Sequence, residues 1–590
     1  MSHIKYITLA LIILFTIPLY SELDLEIFDD SAFIDVEEHF YSLVERINVQ
    51  TASRNELSQI PHLTNRDIQS IINYRRRNII INAHYLLDAG LSRETIDSIM
   101  PYIEYGRSTS LEYNFQNFIR YQERTDNFRN INRLQASNNI YNFRFHHEYN
   151  TNVDNSPIPF GASLNIRTSP NSNLILGQYR IHHGYGLLLH RGSFVSQSPG
   201  FNTDFSQNRI VLASGARPYF SRSLLGIAYE HSLSDRFTLF LYSSYKDIGA
   251  RIQDDKILVL LPDDTNPNRS VIQSFSGSMF SFQTGDLVLS ATASYSHTSK
   301  EFISENARPI SSAIAFSYRR GNYMLFSESA YSNSAFAHLA GIKNSFQRFS
   351  QIISYRHIES GYNAEFANFV SNSANQTNEK GLFYKVEFRN REFLVQTFAD
   401  TFENIEPHER HLDRNRGVSY GIRAEKYSLF NFPDMTVGAA FREKHDKEWR
   451  NLTGIARYEN RKREYARLSW QQANTRFLTT RLVCDFQQRV YPEHNIKNNG
   501  YALSQSVRMQ FRNYRVSFTA GVFDTEIPLY LYLYSGRLNN PLLILSREGQ
   551  YALIHVNYRL NDRLQLEVMN SFLKRDSVEQ TASMMFAWNL

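Results

Sequence analysis

Two histidine pairs are the first places in this chain where side chains of suitable type stand close enough for chemistry. His146 and His147 precede Glu148, a set of metal-ligand types, and His182 and His183 stand upstream of Ser193, the residue types of a serine hydrolase. Both pairs lie where apolar and polar residues alternate. Adjacent side chains on a strand point to opposite faces, so neither pair can give one ion two ligands from one strand. Polar groups lining the inside of a barrel are the reading that remains. The sequence contains no Walker loop, no dinucleotide fingerprint and no His-Glu-x-x-His pattern. No enzyme, cofactor or metal is expected. The second pair belongs to the run Gly177-Gln178-Tyr179-Arg180-Ile181-His182-His183-Gly184-Tyr185-Gly186-Leu187, in which Gly184 and Gly186 flank Tyr185. Such spacing suits a strand that bends or a backbone that passes close to a neighbour. Arg180, His182, His183, Gly184 and Gly186 are therefore candidate lumen or constriction residues.

The elements that would position these groups are strands. Val507, Met509 and Phe511 alternate with Arg508, Gln510 and Arg512; after Asn513, Tyr514, Val516 and Phe518 alternate with Arg515, Ser517 and Thr519. Tyr384, Val386 and Phe388 alternate with Lys385, Glu387 and Arg389 before a turn at Asn390-Arg391, and a similar turn falls at Asn561-Asp562. One face is then aromatic and aliphatic and the other charged, so the two faces meet different solvents. From about residue 108 to 590 the pattern predicts an all-β, antiparallel, up-and-down transmembrane barrel of roughly 18 to 24 strands, counting roughly 20 to 25 residues per strand and turn. A lumen that wide is aqueous or plugged, because wall side chains alone do not fill it. Three stretches, 186–221, 253–275 and 525–548, break the rhythm; the first and third, rich in Gly, Pro, Ser and Asn, read as outer loops or segments folded into the lumen.

Bulk properties agree. The 590 residues carry 63 basic and 58 acidic side chains, a net charge of +5, which gives no global polyanion-binding signature. The negative mean hydropathy excludes a helical membrane protein but not a barrel, whose alternating strands average out. Phe (42) and Tyr (36) suit strands and membrane interfaces. The single cysteine, Cys484, excludes an internal disulfide and reads as a small apolar strand residue.

Residues 1–21 read as a signal peptide: Lys5, then an apolar stretch from Tyr6 to Tyr20, shorter than the roughly 20 residues a spanning helix needs. Residues 35–105 follow a helical rule instead. Val36, Phe40, Leu43, Val44 and Ile47 recur at helical spacing, Ser53-Arg54-Asn55-Glu56 is a capping box, and Asn82 and Ser92 stand where helix caps belong. This predicts a small all-α domain.

Within it, Ile47-Asn48-Val49-Gln50-Thr51-Ala52-Ser53 through Leu57, the Ile71–Arg75 helix and the segment from Asp88 to Ile103 resemble the tandem helix-hairpin-helix domain of competence protein ComEA. The domain order and the Gly177–Leu187 run resemble a group of outer-membrane barrels, found mainly in Bacteroidota, that carry such a domain. The terminal alternation Met584, Phe586, Trp588, Leu590 looks like the signal read by outer-membrane barrel-assembly machinery. The resemblance implies an outer-membrane channel, transport or assembly component, with membrane lipid as solvent and a periplasmic protein as partner. Its helical domain would be periplasmic or in the lumen.

DNA-binding members of the helix-hairpin-helix fold approach phosphate through glycine-bounded hairpins. Here the first hairpin, His62-Leu63-Thr64, has neither glycine, and the second, Gly90-Leu91-Ser92, keeps one. Between Val36 and Tyr105 seven arginines face nine carboxylates, a net charge of −2. Arg75, Arg76 and Arg77 are the remaining candidate patch for DNA or a protein partner. Nucleic acid is thus the disfavoured partner, and a DNA-uptake component the alternative reading. A secreted, soluble all-β protein is a further alternative.

Overall fold

A computed structural model describes residues 47–589, apart from short internal segments of which the longest are 152–159, 191–198, 216–222, 261–269, 407–413 and 533–541. The signal-peptide stretch, the 35–46 helical pattern and the capping box Ser53–Glu56 lie outside the described residues.

Period-two patterning produces the expected strands, and they close on themselves. Among the described residues, 24 antiparallel strands form one barrel, from Glu112–Gln122 to Val578–Asn589, and these two seal it by pairing with each other. The count lies at the upper end of the expected range. Two short strands share positions with longer ones: Arg209–Ser214 pairs with the far half of Ser172–Gly184, and Lys256–Leu260 folds back on the end of Phe237–Gln253. Closure pairs each of the 24 wall strands on both sides, leaving only the two short strands with an open edge.

The two faces separate as the alternation requires. Tyr384 and Phe511 are exposed on the outer surface, whereas Lys385 between its apolar neighbours is only 7% exposed. Ile314, Leu325, Ile422, Leu468 and Tyr501 likewise stand outward and exposed, as does Cys484. On a water-facing surface a band of this size would be an aggregation site; against lipid it is solvated.

The rims differ. At one, the connections are short, as at 285–286, 321–322 and 347–348, and Asn390 and Asn561 cap their turns by accepting backbone N–H groups two and three residues on. The first strand begins and the last ends at this rim. Aromatic residues gather on its outer face: Phe346, Phe349, Phe388, Phe393, and Phe477 stacked on Phe511, which stacks on Tyr514 at 4.4 Å. A second set that includes Tyr501 lies further up. Tyr501 and Phe511 are ten residues apart in sequence, which at about 3.3 Å per residue and a tilt near 40° spans roughly 25 Å, the height of a membrane band. At the other rim lie the long connections, such as 185–223 and 359–378, beside short ones such as 333–334, and the strands Phe432–Asn451 and Ala456–Thr475 extend past the band. There the outward face turns polar, with Lys462 bridging Glu443 and Glu464.

The amino-terminal unit has helices Asn65–Arg75, Ala83–Asp88 and Arg93–Ile99. Asn82 and Ser92 cap the second and third by accepting the N–H groups of His84 and Thr95 at 3.0 Å. Val49, Leu57, Ile68, Ile71, Leu86, Ile96 and Ile99 form their core. The sequence predicts a purely helical unit; the structure corrects this, because Ile47–Asn48 pairs in parallel with Ile103–Glu104 and ties its two ends together. Two-residue strands are too short to show a period, and here the burial of Ile103 on the helical core decides them.

Candidate functional site: a partly filled lumen

The Gly177–Leu187 run is where the chain leaves the barrel wall. Strand Ser172–Gly184 ends at a glycine with φ +63, and Gly186 follows at φ +90, both in the left-handed region. A Cβ on Gly184 would stand 2.8 Å from Ala315 Cβ and from the Glu328 carboxyl carbon; one on Gly186 would stand 2.7 Å from the Asn368 carbonyl oxygen. Only glycine permits this turn. The backbone then folds inward, with His183 N–H donating to the Leu189 carbonyl at 2.9 Å.

Glu328, on strand Tyr323–Ser332 across the lumen surface, holds the turn. Its Oε2 accepts the N–H of Tyr185 at 2.6 Å and of Leu187 at 3.3 Å, and its Oε1 lies 3.5 Å from His183 Nδ1. Both side chains are wholly buried. A second inserted segment, from the 359–378 connection, packs on the first: His190 N–H donates to the Phe366 carbonyl and Asn368 N–H to the Gly186 carbonyl. Tyr362 donates its hydroxyl to the Leu187 carbonyl at 2.5 Å. Burial, then the nearby Glu328 carboxylate, push the Tyr362 hydroxyl well above its usual pKa, so it remains a donor. Leu187, Leu188, Leu189, Phe366 and Phe369 meet inward-facing Met324, Phe326, Phe383 and Phe398 in one dry cluster. The far end of this segment is clamped by charge. Arg356 binds Glu379 at 2.5 Å and Asp400 through two bonds of 2.7 and 3.0 Å, and Asn372 donates to both carboxylates. All three side chains are at most 3% exposed.

Another arc of wall, from strand Arg416–Leu429 to Ile496–Gln510, lies beside a second buried apolar cluster of Phe118, Phe523, Tyr551, Leu553 and Met569 and is lined by cations. Register fixes their order. On strand Ala456–Thr475, Arg461 opposes Asp446, Arg463 opposes both Lys444 and Arg489, and Arg467 lies level with Arg423 through Ala440. Tyr465 is opposite Arg442, whose guanidinium lies 5.7 Å from the centre of the lumenal Phe398 ring. Lower down, Arg481 opposes Gln471, and Arg508 is level with Ala473 through Thr479. Outward neighbours such as Leu468 (62% exposed) confirm the alternation. Three carboxylates are interleaved. Asp446 accepts from Arg461 and Arg463, Asp485 from Arg467 and Tyr465, and Glu425 from Arg423 and Tyr427. At the upper end Glu459 pairs with His494 at 2.8 Å.

The residues singled out by sequence fall in three places. His183, Gly184 and Gly186 form the inward turn itself. His182 bonds the Gly184 carbonyl at 3.1 Å and packs on His190, and Arg180 lies on the same strand before the turn. His146 and His147 occupy opposite faces of Tyr141–Asn150, as alternation requires, and Ser193 lies outside the described residues. In the amino-terminal unit Leu63 and Leu91 are buried in its core, Ser92 is a helix cap, and Gly90 is exposed at φ +93. Arg75 donates to the Val49 carbonyl at 3.0 Å, a structural bond. His62, Thr64, Arg76 and Arg77 lie outside the described residues. Sequence reading missed Glu328, the Arg356 cluster and the order of the arginines, because each depends on contacts between strands distant in sequence.

Fold and lumen together define a large transmembrane-type β-barrel that folds part of its own chain into its interior. No family model and no curated protein matches it. Solved structures similar to it include the copper transporter OprC, at 8% identity and TM-score 0.44 over 82% of this chain and 84% of that one. The ferric enterobactin receptor PfeA of Pseudomonas aeruginosa gives 8%, 0.43, 83% and 81%, and the siderophore receptor PirA of the same organism 9%, 0.41, 83% and 81%. Likeness this distant says nothing of cargo.

Proposed function

We propose that this protein is a bacterial outer-membrane transport channel whose lumen is narrowed from the cell exterior by its own inserted segments. The observation that carries this reading is the asymmetry of the lumen. One arc is filled by inserted chain in a dry cluster anchored on Glu328 and Arg356, while another carries a long series of arginines with few interleaved carboxylates. Short turns mark the periplasmic rim and long connections the outer one, as outer-membrane barrels are built. The chain enters its first strand at the short-turn rim, which supports a periplasmic position for the amino-terminal unit. Its resemblance to ComEA-type helix-hairpin-helix domains, with a negative charge balance and Arg75 engaged internally, favours a docking module for a periplasmic protein over a DNA grip.

The purified protein in planar lipid bilayers tests the channel. Discrete conductance steps are expected, and they should grow when Glu328→Leu loosens the inserted turn. A silent bilayer for both forms, with correctly inserted protein, would overturn transport in favour of an assembly role.

A further inference from the structure

We infer that the solutes this channel passes are small oxyanions, phosphates or polycarboxylates, guided along a ladder of arginines on the lumenal face of strands Arg416–Leu429 to Ile496–Gln510. This rests on the transport reading and specifies its cargo. The arginine side chains keep a small exposed fraction, 11 to 15% for Arg423, Arg461, Arg463 and Arg467.

The ladder follows from register. Twelve residues of one strand separate the rung of Arg461 from that of Arg508, about 30 Å along a tilted wall, so the series runs from above the level of Tyr501 down towards the short-turn rim. Almost every rung between carries a cation: Arg463 with Lys444 and Arg489, then Arg442, then Arg467 with Arg423, then Arg481. The rung between the last two holds Glu425. Among the described residues of these rungs the carboxylates are Asp446, Asp485 and Glu425, each bonded to arginine, with Glu459 above them paired to His494. The carboxylates therefore fix guanidinium geometry without cancelling the charge of the arc.

Three physical points select the ligand class. Guanidinium presents a planar fork that matches carboxylate and phosphate oxygens, and it is less strongly hydrated than ammonium. Among the named rungs one cation is lysine and the rest are arginine, which favours oriented oxyanion contacts over a diffuse positive field. Rungs spaced by two residues, roughly 5 Å of depth after tilt, let an anion be passed to the next site before leaving the last. Low-dielectric walls focus that field inside the lumen.

The test is the zero-current potential of the full-length protein in a planar bilayer under a KCl gradient, followed by added inorganic pyrophosphate. Chloride should be preferred over potassium by at least about tenfold. Pyrophosphate should reduce the chloride current at low ionic strength, and added salt should relieve the block. Arg463→Gln with Arg481→Gln should reduce the preference several-fold, whereas Arg463→Lys with Arg481→Lys should keep its sign. Cation preference, or none, in the unaltered protein overturns the inference while leaving a channel in place. Block by a single-stranded oligonucleotide and not by pyrophosphate would overturn it in favour of nucleic acid. Pyrophosphate titration of the detergent-solubilised protein separates the two failures. Binding that weakens in the glutamine variant, in a protein that passes no current, supports the oxyanion site and removes transport; no current and no binding removes both.

Discussion

Replacing Glu328 by leucine should release the inserted turn while the barrel stays closed. The substitution removes the acceptor of two buried backbone donors, Tyr185 N–H at 2.6 Å and Leu187 N–H at 3.3 Å, and the carboxylate facing His183. A buried donor left without a partner costs about 1 to 3 kcal/mol, so the pair sets a penalty of about 2 to 6 kcal/mol. Leucine recovers part of this, because a wholly buried carboxylate no longer has to be desolvated. A net loss of about 3 kcal/mol corresponds to roughly a hundredfold rise in the open population of the turn. Glutamine keeps one acceptor oxygen and should raise it by less than about tenfold. Hydrogen exchange on the protein in lipid nanodiscs reads this directly, with amides 183–190 as reporter and strand Phe393–Glu403 as internal reference. The reasoning is refuted if protection at 183–190 changes by less than about threefold in the leucine variant while the reference stays constant.

Arg356→Met should free the 359–378 connection to protease, because Glu379 and Asp400 are left buried without their counter-ion, at about 3 to 5 kcal/mol; replacing all three by apolar residues should restore most of the resistance. Leu468→Arg, on the lipid face, should destabilise the barrel by about 2 to 4 kcal/mol in urea titrations from lipid, whereas Ser469→Arg, one position on and facing the lumen, should cost much less. Asn82→Ala should cost about 1 kcal/mol and raise hydrogen exchange in helix Ala83–Asp88 without touching the barrel.

The wall was legible because its signal is local. Each strand states its own period, and turns such as Asn390 and Asn561 carry their own capping chemistry, so alternation and hairpins follow without knowledge of any distant partner. Asn82 and Ser92 were readable for the same reason. The double-glycine run at Gly184 and Gly186 announced a bend, but its direction depends on Glu328, more than 140 residues away. Arg508 was visible as a polar face; that it continues a series with Arg481 and Arg467 appears only once three strands are in register. The parallel pair at Ile47 and Ile103 was likewise hidden by its length and by the helical pattern between its members.

The central claim is that one face of every barrel strand meets lipid and the other meets the lumen. Neighbouring positions on strand Ile496–Gln510 test it, in a Cys484→Ser background with a spin label introduced by Leu503→Cys or by Ser504→Cys in the protein reconstituted in lipid. The label at 503 should collide with oxygen dissolved in the bilayer and the label at 504 with a water-soluble nickel chelate. The reverse pattern, or no difference between the two, would contradict the account.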